Sequence, residues 1–410
     1  MSIIRQLDWK DIFVFILGLL LVGKIRIVGT FSYTELLLIP CIIFGFAKFK
    51  GIGKIMFLSI LWLIGCIIAN NINDINKIDS LKGEFFIIVF IFLIPPIYWL
   101  LHDDPRRIIF FFLGSGISGI FAPEFAQDRT ISEFLSNENF RFYAWFGFIT
   151  GISGLLYFCK RKYLSIIIME VSSIIGLFYG SRNAFFSTTI AAACLLFFIS
   201  FINKKHEHAL FKKKFPYILI IILISLFAIN YSYEFLAENM ILGEEAYNKY
   251  VKQKSYGNIL EGGRGETFMG IELIKNKPIT GYGSYAKDTY GYREKYASEH
   301  NVIYNSNIRE TRYLPSHSHL IGAWMQNGIL GGIFWLYVLF ILWKFIKSGS
   351  LFCEKDLLGL IMFKTVALIW DILFSPFGDR VSFLFLFLTL FVIYQRYKNN
   401  YYNNSLISNN

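Results

Sequence analysis

Charge is scarce in this sequence. Asp, Glu, Lys and Arg make up 17% of 410 residues, against roughly 25% in an average soluble domain. A chain with so little charge and 55% hydrophobic residues does not suit a water-soluble globule. Cysteine is scarcer still. Cys41, Cys66, Cys159, Cys194 and Cys353 fall within apolar runs or beside them, show no CxxC or CxxxH spacing, and imply neither a disulfide nor a metal site. No small-residue cleavage site follows Arg5 and Lys10, so the first apolar run reads as an uncleaved span rather than a signal peptide. An internal repeat of the kind inverted-topology transporters carry is also missing.

The sequence does have repeated apolar runs of about 20 residues, the length that crosses a hydrocarbon core about 30 Å thick. They are too long and too uninterrupted for barrel strands, so the expected fold class is all-α, a polytopic integral membrane protein. Twelve spans can be placed, at roughly 11–23, 34–47, 55–70, 84–101, 108–122, 142–159, 163–180, 184–202, 216–232, 319–343, 357–374 and 380–395. With the N-terminus inside, 20 basic residues fall on the cytoplasmic side and 8 in the short loops opposite, so the positive-inside rule puts both termini in the cytoplasm. The net charge of +11 is thereby accounted for by loop lysines and arginines, and nucleic acid is not an expected partner. The expected organisation is nine spans over 1–232, an outward loop or cap over 233–318, three spans over 319–398 and a disordered Asn-rich tail over 399–410.

The long polar interruption is where chemistry is expected. Segment 233–318 carries 11 basic and 11 acidic residues and 11 of the 24 tyrosines, a size that suits a small folded lid better than a structureless loop. Arg264 to Asn276 reads as a helix, with Phe268, Ile271 and Ile274 on one face and Pro278 just beyond its end. The Gly281-Tyr282-Gly283-Ser284-Tyr285 that follows reads as a turn whose glycines permit close backbone approach. Ionisable residues deep in the spans are Glu35, Glu170, Lys364 and Asp371, too scattered to form a relay. The Asn-rich stretch 70–76 reads as a plain loop.

Topology gathers Arg182, Arg264, His317, His319 and the pair Asp379-Arg380 on the outer face. Arginine stays charged and grips phosphate through two parallel hydrogen bonds, and a neutral histidine can take a proton near pH 7. The set suits an anionic lipid headgroup. Each member also has a plainer reading: Arg182 as an interfacial anchor, Arg264 as a helix-start residue paired with Glu266, either histidine as a hydrogen-bonded structural residue. His102, His206, His208 and His300 read as solvated surface.

The order of these motifs resembles the family of O-antigen ligases and O-antigen polymerases. Ser181-Arg182 matches its Ser-Arg after a span. Gly263-Arg264 with Pro278-Ile279-Thr280-Gly281-Tyr282-Gly283 matches its Gly-Arg helix ending in Pro-x-x-Gly-x-Gly. His317, eleven residues before Gly328 and fourteen before Gly331, matches its histidine at the start of a span that continues with Gly-x-x-Gly. Ser318 stands where the family often has Asn, and the second histidine, His319, leaves two candidates for the base.

The resemblance implies a metal-independent glycosyltransferase of the GT-C type in the bacterial inner membrane, with no cofactor and an undecaprenyl-diphosphate-linked oligosaccharide as donor at the periplasmic face. It implies that Arg264 and Arg182 hold the donor diphosphate, that His317 accepts the proton of the attacking hydroxyl, and that the anomeric centre inverts. Arg380, His319, Tyr282 and Tyr285 are the expected further substrate contacts, the tyrosines stacking on sugar rings. Membrane lipid is an expected partner, and a chain-length regulator protein is a further one. A polymerase, acting on a second lipid-linked repeat, is preferred to a ligase acting on lipid A core. A flippase is the rival from another class.

Overall fold

The computed structural model describes residues 7–26, 29–46, 51–121, 138–178, 182–200, 231–254, 259–289, 291–299, 313–314 and 317–407, with isolated positions between 213 and 228. These residues are almost wholly helical, because a backbone in a hydrocarbon layer must satisfy its own hydrogen bonds. Helix α1 (Trp9–Leu19) leads into a hairpin of β1 (Lys24–Arg26) paired antiparallel with β2 (Thr30–Ser32). Helices α2 (Tyr33–Leu38), α3 (Ile42–Phe46), α4 (Gly53–Ile72), α5 (Lys77–His102) and α6 (Ile108–Phe121) follow. Next come α7 (Glu138–Phe158), α8 (Lys162–Phe178) and α9 (Arg182–Ile199). The polar segment contributes α10 (Glu244–Lys254), α11 (Ile259–Asn276) and α12 (Tyr292–Glu299). The chain then runs through α13 (His319–Ser348), α14 (Leu358–Phe374) and α15 (Arg380–Ile407).

Among the described residues, five stretches are long and apolar enough to cross a membrane: Gly53–Ile72, Lys77–His102, His319–Ser348, Ser350–Phe374 and Arg380–Asn400. Helices among and beside them expose rows of aliphatic and aromatic side chains at helical spacing. On α4 these are Phe57, Ile60, Ile64, Ile67 and Ile68; on α8 they are Leu164, Ile167, Val171, Ile174 and Ile175. Faces this apolar belong in lipid rather than water. The protein is an all-α polytopic membrane protein. The expected span at 34–47 is divided into α2 and α3, with Pro40 in the break, where the ring removes a helix hydrogen bond. The hairpin β1–β2 was not expected from the sequence.

Lipid tails are as apolar as leucine, so contact between helices rests on close packing rather than on escape from water. Gly18 of α1 and Gly114 of α6 show this: a Cβ on either would overlap the other helix's backbone. At the centre, Trp62 stacks on Phe334 at 5.1 Å, and Trp335 and Phe377 meet edge to face at 4.9 Å. Several buried charges are paired. Arg107 holds Asp8 at 2.6 Å and Asp11 at 3.3 Å, fastening the start of α1 to the α5–α6 turn. Of the charges the sequence puts deep in the spans, Glu35 meets Arg380, Glu170 accepts from Thr189 Oγ1 at 3.3 Å, and Lys364 lies over the Phe112 ring at 4.2 Å.

Candidate functional site

The Pro-x-x-Gly-x-Gly motif is built into a break in α13. Gly328 has φ 67° and ψ −165°, which interrupts the helix nine residues after its start. A break inside a membrane helix orphans carbonyls and amides that other protein groups must take up. The turn after α11 does this. Tyr282 N and Gly283 N donate to Met325 O and Gln326 O, both at 2.8 Å, and Ile329 N donates to Ile279 O at 3.1 Å. Trp324 Nε1 adds a bond to Pro278 O at 2.8 Å. The approach leaves no room for side chains: a Cβ on Gly281 would lie 2.6 Å from Gly328 N, and Gly281 itself has φ +68°.

The Asn-rich stretch 70–76, read as a plain loop but in fact the last turn of α4 and the turn after it, holds the other side of this turn. Asn70 Oδ1 accepts from Ser284 N at 2.7 Å, Asn73 Nδ2 donates to Gly281 O at 3.1 Å, and Lys277 Nζ donates to Asn73 Oδ1 at 2.6 Å. Asparagine amides offer donor and acceptor together, which suits an irregular backbone. The sequence signal was the asparagine run itself, read only as a loop.

Beside this rigid turn, α11 meets the chain just before α13. Glu266 Oε2 lies against His317 Nδ1, and Thr267 Oγ1 donates to His317 O at 3.1 Å. The imidazole remains half exposed, at 54%. With Nδ1 directed at a carboxylate, Nε2 is the ring atom left for a substrate proton. Arg264 lies on the same helix, one turn ahead of Thr267, and Arg182 is the first residue of α9. The two arginines' side chains, like Ser181, lie outside the described residues, as do His206, His208 and His300. The helices that carry them both touch α10: its Tyr250 belongs to a buried cluster that packs on Phe185 and Phe186 of α9, and α10 also contacts α11.

Ser318 is the N-cap of α13, its Oγ accepting from Ile321 N at 3.0 Å and donating to Ile372 O at 2.9 Å. Serine and asparagine are both strong N-caps, so the residue type that follows the family histidine has a helix-capping reason. His319, by contrast, is buried in an aromatic box, 4.9 Å from Trp335 and 4.8 Å from Phe377 between ring centres. It lines a cavity of about 170 Å³ with Trp62, Phe86, Ser284, Tyr285 and Asn327. Its Nδ1 has no hydrogen-bond partner among the described residues.

The two expected tyrosines part company. Tyr282 is buried with Met269, Leu273 and Met325, its hydroxyl 3.3 Å from that of Tyr292 and its ring 4.8 Å from Lys277 Nζ. Tyr285, 39% exposed, lines both the small cavity and a larger one. Its φ of +54° is costly for a side chain with a Cβ, of order 1–3 kcal/mol. Burial raises its phenol pKa, against the lowering effect of the Lys82 charge. Arg380, at the start of α15, donates from Nε to Glu35 at 2.5 Å and from Nη2 to Glu35 at 3.2 Å and Thr30 O at 3.1 Å.

The structure thus brings together His317, the helix of Arg264 and the turn of Tyr282 and Tyr285, while Arg380 stands with Glu35 on the wall of the larger cavity. Glu266 and the asparagines are the site neighbours that sequence reading missed. For Glu266 no local pattern marks a contact to a histidine 51 residues away. No curated protein and no solved structure matches the chain. Residues 167–336, which hold Arg182, Arg264, His317 and the Gly281–Gly328 contact, match the family model described as O-antigen ligase. That match makes this segment similar to O-antigen ligases and supports the resemblance to the O-antigen ligase and polymerase family.

Proposed function

We propose that the protein is an O-antigen polymerase, transferring an undecaprenyl-diphosphate-linked glycan to a sugar hydroxyl of another lipid-linked repeat at the periplasmic face of the inner membrane. The observation that carries this reading is the Glu266–His317 pair, on the helix of Arg264 and inside the family-matched segment. His317 Nε2 accepts the proton of the attacking hydroxyl. Glu266 keeps the other ring proton on Nδ1 and offsets the positive charge as the imidazolium forms, so it is a positioning residue. The hydroxyl oxygen forms a bond to the anomeric carbon as the bond from that carbon to the diphosphate oxygen breaks. Its electron pair leaves on the diphosphate, from the opposite face, and the centre inverts. Arg264 and Arg182 stabilise the charge that develops there, a contribution of about 3–4 kcal/mol for one well-placed donor. Arginine charge serves in place of a metal.

A second reading, ligase, is favoured by the description of the family model itself. It uses the same site with lipid A core as acceptor. A null mutant separates the two. Core capped with a single repeat supports the polymerase; bare core with accumulating lipid-linked polymer supports the ligase. Arg264→Ala at matched expression should abolish polymer output, and wild-type output from that variant removes Arg264 from the mechanism.

A further inference from the structure

The larger cavity, about 920 Å³, lies between the hairpin β1–β2, α5 and the start of α15, outside the family-matched segment except where Tyr285 closes it. Its volume is that of a small-molecule site, for which ~300–1,000 Å³ is usual. Its wall carries the cations Lys24, Lys82 and Arg380 together with the rings of Phe31, Phe86 and Phe377. The carboxylates in the wall are Glu35 and Asp379. Glu35 is taken by Arg380, and Asp379 accepts from Ser382 N at 3.0 Å as the cap of α15. Asp79, beside the cavity, holds Lys82 at 3.0 Å.

Arg380 is 6% exposed and lies over the Phe86 ring at 4.5 Å. With Nε and Nη2 engaged, its Nη1 has no hydrogen bond among the described residues. A guanidinium held by one carboxylate and a ring keeps its remaining N–H groups fixed for a second anion. Cations and phenyl rings lining one cavity suit an amphiphile: a phosphate head with a hydrocarbon chain. The cavity shares Phe86, Tyr285 and Phe377 with the small one, which reaches Ser318 next to His317. An occupant would therefore sit at the same end of the bundle as the transfer site.

We infer that this cavity is a second phosphate-lipid site, taking the phosphorylated head of the acceptor while Arg182, Arg264 and His317 serve the donor. The acceptor role rests on the transferase reading above; the binding of a lipid phosphate does not.

The test is a native mass spectrometry titration of the full-length protein in detergent with undecaprenyl phosphate. Wild type should bind two molecules. The variant Lys24→Ala/Lys82→Ala should bind one as before and the other at least about tenfold more weakly, the effect of losing charge-assisted hydrogen bonds. Arg264→Ala should keep the cavity molecule and lose the donor one. If the double variant does not fold, Lys82→Gln alone, at a side chain 37% exposed, should show the same loss in smaller degree. Two unaltered sites in a folded lysine variant overturn the proposal, as does equal binding of a neutral diacylglycerol. Phosphatidylglycerol binding as tightly as undecaprenyl phosphate supports phosphate-lipid recognition and overturns the acceptor role. Inorganic phosphate that displaces the lipid supports recognition through the head. Loss of glycan transfer in Arg264→Ala with the cavity intact separates failure of this site from failure of the transferase reading.

Discussion

Two parts of the polar segment meet α13 within a dozen residues of each other and are held in opposite ways. The turn at 278–285 is locked: three backbone hydrogen bonds join it to the broken helix, and two asparagines and a tryptophan fasten it further. Around His317 are the Glu266 carboxylate at Nδ1 and the Thr267 bond to its carbonyl, with the imidazole half exposed. A turn so bonded resists rearrangement, and a half-exposed histidine on one carboxylate is open to substrate. The difference makes the glycine motif a frame, which suits the role proposed above for the histidine.

Substitutions that strike the frame should therefore cost stability, and those at the histidine should cost activity alone. Gly328→Ala should have the largest effect. Its Cβ would overlap Ile279 O in a left-handed backbone, and a loss of more than about 4 kcal/mol is expected, seen as failure to accumulate folded protein in the membrane. Glu35→Ala leaves Arg380 buried without its carboxylate, which should cost about 3–5 kcal/mol and lower the thermal midpoint in detergent. Glu266→Gln should leave that midpoint unchanged and reduce kcat roughly 10- to 100-fold with KM nearly constant, with Glu266→Asp recovering part of the rate. Were Glu266 only structural, midpoint and rate would fall together. Lys275→Ala, which breaks an ion pair with Glu272 whose side chains are 64% and 60% exposed, should change neither rate nor stability, to within about 0.5 kcal/mol.

Much of the fold was legible because apolar runs of membrane length leave few alternatives. The stretches expected at 55–70, 84–101, 319–343, 357–374 and 380–395 each fall within a helix of matching position. The motif order pointed to Arg182, Arg264 and His317 because those spacings are local. What was hidden depends on contact across the chain. Nothing near Glu35 announces Arg380, 345 residues away, and the break at Gly328 is visible only once Ile279 is seen to fill it. Tyr282 and Tyr285 looked alike in one motif. Their fates differ because the positive φ angles of Gly281, Gly283 and Tyr285 turn the chain so that the first ring enters the core and the second reaches the cavities.

The most direct test of the transfer chemistry uses purified protein in detergent with lipid-linked repeat units and no ion gradient. Wild type should lengthen the repeats and His317→Ala, equally folded, should not, with the rate down at least about a hundredfold. Lengthening by His317→Ala at the wild-type rate would contradict the account.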